Sequence, residues 1–169
     1  TPDMRRVHFE LKDRLVLTPV ELRHALLPTI AVAIILYLLA GPLAAFAAIT
    51  TVITGTVLFP ALLPLIPTHD FSTKGLILGL LAAIPFAISF AADPAMPLLM
   101  KAIISLALLL TIPAVTAYLA LNFTGCTTFT SRTGVKKEIY RYVPVMALMA
   151  GSGILLLTIF GAMRFMEMV

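Results

Sequence analysis

The residues best suited to recognition chemistry stand in one polar run, from Asn122 to Glu138. Thr124, Thr127, Thr128, Thr130 and Ser131 supply hydroxyls, Cys126 a thiol, and Lys136, Lys137 and Glu138 charge. Gly125 and Gly134 permit backbone angles closed to other residues. A bare connector between two apolar segments needs only a few residues, and this run is long, Thr-rich and basic toward its end. Such a surface suits docking to another domain, to the polar side chains of a cofactor, or to lipid head groups. Its plainer reading is a head-group-facing loop with a capped, amphipathic lead-in to the next helix. The docking candidates are Asn122, Phe123, Thr124, Gly125, Thr130, Ser131, Gly134, Lys136, Lys137 and Glu138.

Other reactive side chains are sparse. Cys126 is the only cysteine, so an intrachain disulfide is excluded. Its thiolate would favour a soft metal ion, and it reads equally as an inert small residue. His8, His24 and the pair His69-Asp70 show no metal-ligand spacing, and His69-Asp70 reads first as a solvated turn. No catalytic, cofactor-binding or metal site is assigned within the chain. Thr50, Thr51, Thr54 and Thr56 in one apolar segment read as packing glue that shares hydrogen bonds between helices, and secondly as a substrate path. Gly151-Ser152-Gly153 reads as a close-packing point before a hinge. Met96, Met100, Met146 and Met149 offer thioethers, though methionine in apolar helices is usually filler.

The elements that must position these residues are membrane helices. The chain is 60% hydrophobic and only 12% charged, with a mean hydropathy of +1.06. A globular domain carries roughly 25% charged residues, so the solvent of this surface is lipid. The fold class is an all-α membrane protein with five transmembrane helices. Apolar segments near 25–40, 43–66, 75–91, 95–121 and 142–165 are each long enough for the bilayer core. Thr18, Pro19 and Glu21 form a capping-box pattern that starts the first helix. Gly41-Pro42 makes a tight first hairpin, and Pro60, Pro64 and Pro67 kink the second segment or end it early. Lys101, about two turns into the fourth segment, reads as snorkelling to the interface, as do Lys74 and Arg164.

Basic residues set the orientation. Of the 12 Lys and Arg residues, all but Lys101 and Arg164 fall on the side of the N-terminus. The positive-inside rule then predicts a cytoplasmic N-terminus and an outside C-terminus in the cytoplasmic (inner) membrane. The net charge of +4 is a topology signal, with no nucleic-acid partner implied. The middles of the spans hold no carboxylate or His, which disfavours a pump or proton-coupled transporter. Residues 1–18 read as a linker, or as the last piece of a preceding soluble domain. Val7–Lys12 alternates like a short strand there.

The lead-in Asp13–Leu22, five spans, and the run Asn122-Phe123-Thr124-Gly125, Thr130-Ser131 and Gly134–Glu138 resemble the C-terminal membrane domain of the mercury-methylating corrinoid proteins. The resemblance covers essentially the whole chain. It implies a soluble N-terminal domain similar to that of corrinoid iron–sulfur proteins, which binds a cobalamin-type corrinoid and passes a methyl group to mercuric ion. It also implies a ferredoxin-like partner with two [4Fe–4S] clusters that reduces the corrinoid. The cobalt-ligating cysteine of that family lies on a cap helix absent from these residues, so its role does not transfer to Cys126. By this resemblance the chain is a noncatalytic membrane anchor and docking domain, with the lipid bilayer, its own corrinoid domain and the ferredoxin as partners. The alternatives are a five-helix bundle that itself transports mercury or methylmercury, and a membrane scaffold unrelated to corrinoids.

Overall fold

The computed structural model describes residues 15–16, 18–68, 70–123 and 132–168. The strand-like piece Val7–Lys12, Cys126 and the greater part of the polar run lie outside the described residues. The described chain is helical, and five helices are long and apolar enough to cross a membrane. They are α1 (Thr18–Ala40), α2 (Pro42–Leu62), α3 (Phe71–Ala91), α4 (Leu98–Asn122) and α5 (Arg132–Met168). They run up and down. The start of α1, the 63–70 turn, the end of α4 and the start of α5 share one end, called here the first end. Gly41, the 92–97 turn and Arg164 share the far end.

The helix boundaries depart from hydropathy for identifiable reasons. α1 begins at Thr18, with Pro19 in its first turn. Its capping box does not form, because the Thr18 hydroxyl is buried without a hydrogen-bond partner. Gly41 turns the chain at φ 89° and ψ −174°, a region open in practice to glycine alone. α2 ends at Leu62, short of the expected Ile66. Pro60 has no N–H to offer the preceding turn. The helix widens into a π turn over Thr54–Leu58, where the Phe59 N–H bonds to the Thr54 carbonyl five residues back. α4 starts after Pro97, whose extended backbone (ψ 147°) fixes the start. Lys101 therefore stands in the first turn, where the expectation put it two turns deep. α5 begins ten residues before the expected Tyr142, because the polar residues before the apolar stretch are themselves helical.

The centre of the bundle is the α3–α4 pair. A Cβ on Gly75 would lie 2.6 Å from the Cα of Ala117, and one on Gly79 would lie 2.6 Å from the Cα of Pro113. Two glycines four residues apart thus bring one backbone onto another, which is how helices gain dispersion energy in lipid. The Ser105 hydroxyl crosses this seam to the Ala87 carbonyl at 3.0 Å. Gly153 of α5 meets Thr111 and the Ala107 carbonyl, while Gly151 has open space around it. The close-packing point is therefore Gly153 alone. Thr51, Thr54 and Thr56 of α2 are buried, but the hydroxyls of Thr51 and Thr56 donate to their own helix, to the Ala47 and Val52 carbonyls. The expected sharing of those hydroxyls between helices does not occur.

Two apolar clusters fill the ends. Phe90, Met100, Ile104, Leu108 and Phe160 gather with Ala40, Ala44 and Ala83 toward the far end. Phe59, Leu63, Phe71, Leu78 and Phe123 close the first end, with Phe59 centred 6.0 Å from both Phe71 and Phe123. α1 lies outermost, and its Leu27, Ile34, Ile35 and Leu38 remain exposed to what is, for such a surface, lipid.

The glycine seam gives a paired expectation. Gly79→Val should lower stability in detergent micelles by about 1–3 kcal/mol, the usual cost of overpacking. Gly151→Ala should be neutral or raise it by up to about 1 kcal/mol, since Ala is the better helix former and the site is open. Reversible denaturant unfolding of the purified variants checks both.

Candidate functional site

The first end of the bundle carries the only connected polar network among the described hydrogen bonds that joins distant elements. It begins with a helix N-terminus, which leaves its first N–H groups without intrahelical partners. Asp70 stands at the N-cap of α3, yet its side chain makes no capping bond. Its Oδ2 instead accepts a hydrogen bond from the Tyr142 hydroxyl of α5 at 2.7 Å. The orphan amide is served from elsewhere. Glu138, four residues before Tyr142 and on the same face of α5, accepts the Ser72 N–H at 2.6 Å. The local carboxylate is thus diverted to α5, and a carboxylate from α5 takes its place.

This exchange is favourable on two counts. A carboxylate at a helix N-terminus meets the positive end of the macrodipole. The bond to a charged acceptor is also stronger than one between neutral groups. Glu138 is 7% exposed and Ser72 fully buried, so water does not compete there. Around this clamp, the Thr73 hydroxyl donates to the Asp70 carbonyl at 2.8 Å. The Lys74 ammonium donates to the Leu63 carbonyl at 2.9 Å, just past the end of α2. Lys74 therefore ties two helix ends together, where snorkelling was expected. The Ser72 hydroxyl is left buried without a hydrogen-bond partner.

The sequence-derived candidates divide into two groups. Phe123 caps α4 and is buried in the aromatic cluster, and Glu138 is turned into the clamp. Asn122, Lys136 and Lys137 are exposed. Gly134 lies in the first turn of α5. Thr124, Gly125, Cys126, Thr130 and Ser131 lie outside the described residues. Sequence reasoning missed Ser72 and Tyr142 entirely and took Asp70 for a solvated turn. The available signals were the Asp-x-Ser-Thr start of α3 and the spacing of Glu138 and Tyr142, one helical turn apart. Among the described residues no three of His, Cys, Asp and Glu gather as metal ligands.

A second feature is a groove of about 580 Å³ between α1 and α2, lined almost wholly by apolar side chains such as Leu26, Ile30, Ile34 and Ile49. Its lining offers no group that would do chemistry, and it opens on the lipid-facing side of the outermost helix.

Compared with known families, characterised proteins and solved structures, the chain matches none.

The clamp predicts a graded loss. Glu138→Ala leaves the Ser72 amide unpaired in a buried place and should cost about 1–3 kcal/mol. Glu138→Gln keeps an acceptor and should cost less. Amide hydrogen exchange at Ser72 and Thr73 should accelerate in Glu138→Ala, while the middle of α3 stays protected. Equal protection in the variant and the parent protein would show that the clamp does not hold the helix end.

Proposed function

We propose that this chain is the membrane anchor and docking domain of a corrinoid-dependent methyltransferase that acts on mercuric ion. The observation that carries the anchoring half is the five-helix bundle, whose interior is filled with Ala, Ile, Leu and Phe side chains. The methyltransferase half rests on the resemblance of Asp13–Leu22 and of the polar run to the mercury-methylating corrinoid proteins.

The geometry supports a docking role at the first end. The clamp ties the starts of α3 and α5 together, and Phe123 ties the end of α4 into the same cluster. The end of α4 and the start of α5, which bound the polar run in sequence, thus lie at the end where α1 begins at Thr18. In this reading the first end is cytoplasmic, as the Lys and Arg distribution supports. A catalytic domain tethered there works at a raised effective concentration toward membrane-delivered metal and its ferredoxin reductant.

The corrinoid itself is assigned to the preceding domain, for the residues here do not fit it. The α1–α2 groove is apolar and open, unsuited to the amide-rich rim of that cofactor. No step of methyl transfer is routed through this chain. Transport of mercury finds less support: Thr51 and Thr56 spend their hydroxyls on their own helix, and Met100 is buried in the apolar cluster toward the far end.

Two experiments test this. Removing the residues after Arg14 from the full-length parent should leave methylation intact in lysate and abolish it in cells. Loss in lysate, with corrinoid still bound, would instead give the membrane domain a part in assembly, reduction or metal delivery. Replacing Asn122, Thr124 and Gly125 together by Ala should lower methylmercury formation in cells roughly tenfold or more, the scale on which tethering acts. Membrane insertion should be unchanged. Undiminished methylation would remove the loop from the docking role.

A further inference from the structure

α5 is too long for the membrane it crosses. It has 37 residues, or about 55 Å at 1.5 Å per residue, against a hydrocarbon core of ~30 Å. Its basic residues mark where the excess lies. The stretch from Arg141 to Arg164 is about 34.5 Å long, close to the core thickness, which sets Arg141 at one hydrocarbon boundary. Lys137 and Lys136 then lie about 6 Å and 7.5 Å above that boundary for a helix along the membrane normal. The head-group layer on each side of the core is roughly 5–8 Å deep. Lys136 and Lys137 fall within the head-group layer, with Arg141 at its base.

The clamp decides which way these charges face. Glu138 and Tyr142 occupy the inner face of the same two turns, holding Ser72 and Asp70. Glu138 is thereby buried and Asp70 is held by the Tyr142 hydroxyl, while Lys136, Lys137, Tyr140 and Arg141 are exposed. Lys136 lies 6.0 Å from the centre of the Tyr140 ring, and Arg141 lies 5.6 Å from that of Tyr142. These cation–π contacts hold the long side chains against the helix. Lys137 and Arg141, one turn apart, share a face. Tyrosine beside Lys and Arg is the composition of a membrane-interface belt.

We propose that the outer face of α5 at Lys136, Lys137, Tyr140 and Arg141 is a binding surface for anionic phospholipid head groups. On two adjacent helical turns Glu138 is turned inward and the bases outward, and the one nearby carboxylate of α3, Asp70, is engaged by Tyr142, so three cations are presented to a phosphate layer. The surface enriches anionic over zwitterionic lipid around α5 and fixes the depth of the helix. It is independent of what the chain anchors.

The chain contains no tryptophan, so Tyr140→Trp places a single fluorescent reporter in the surface and keeps a ring beneath Lys136. The variant chain is reconstituted in vesicles of mixed phosphatidylglycerol and phosphatidylcholine, with one lipid or the other brominated on its acyl chains. Brominated phosphatidylglycerol should quench the reporter at least twofold more than brominated phosphatidylcholine at equal mole fraction, and 0.5 M salt should reduce the difference. Adding Lys136→Gln, Lys137→Gln and Arg141→Gln should bring the ratio to one. The charge-retaining set Lys136→Arg, Lys137→Arg and Arg141→Lys should keep it, which separates lost charge from lost fold. Equal quenching by the two lipids in the Tyr140→Trp chain overturns the proposal and assigns the basic face to a protein partner. A preference that survives the Gln substitutions overturns it as well.

Discussion

In a hydrocarbon solvent every backbone N–H and C=O must find its partner within the protein, and the helix ends are where that requirement is hardest to meet. The first end of this bundle is organised around it. The start of α3 cannot rely on its own Asp70, whose carboxylate is bound to Tyr142, and so depends on Glu138 of α5. The end of α2 is served in turn by the Lys74 ammonium at Leu63. Three helices are thus joined by groups that would otherwise be unpaired. The joining is directional, because each bond fixes one helix end against another at a set height. The aromatic cluster of Phe59, Phe71 and Phe123 sits directly below and shields these bonds from water.

The interior obeys a different rule. Lipid tails are as apolar as Leu, so burying Leu against Leu gains little, and close backbone approach must hold the helices instead. Gly75 and Gly79 let α3 lie on Pro113 and Ala117 of α4, and Gly55 lets the π turn of α2 lie on Leu119. Pro28, Pro85, Pro113 and Pro144 stand inside helices, which membrane helices tolerate where neighbours re-satisfy the freed carbonyls. Pro60 has the larger consequence. It lacks the N–H that would reach back to Thr56, next to the π turn in which Gly55 and Thr56 are buried and two residues before the helix ends at Leu62. Substitutions that look conservative by hydropathy, such as Gly to Val, are the damaging ones here.

Hydropathy alone located all five spans, because a run of twenty apolar residues has no other solvent to live in. It could not place the ends. The start of α5 was hidden because Val135-Lys136-Lys137-Glu138-Ile139 is polar enough to pass for a loop, although each residue but the β-branched pair is a good helix former. Lys74 was read as snorkelling because its receptor, the Leu63 carbonyl, is exposed only by the early end of α2. The clamp was illegible for a deeper reason. Ser72 and Glu138 lie 66 residues apart, and nothing in the local pattern of either distinguishes a capping carboxylate from a solvated one. Thr18, Pro19 and Glu21 show the converse error, a complete local capping pattern whose hydroxyl finds no partner. Local signals name the boundary correctly, and tertiary contacts choose which group satisfies it.

The same exchange of carboxylates explains why one end of this bundle is suited to work and the other is not. At the far end the polar side chains stay local, Asp93 accepting the Ala95 N–H within the 92–97 connection and Arg164 lying beside Gly41. At the first end two acidic side chains are consumed in holding helices, and this turns the surrounding surface basic without any change in composition. Charge asymmetry between the ends is thus partly a product of folding. A sequence count sees ten cations on this side together with most of the carboxylates. The folded chain buries Glu138, engages Asp70 with Tyr142, and leaves Lys136, Lys137 and Arg141 outward. Asn122 at the end of α4 and the first turn of α5 bound the polar run in sequence. Whatever partner meets this face meets a positively charged platform whose height above the bilayer is set by the length of α5 and whose rigidity is set by two hydrogen bonds.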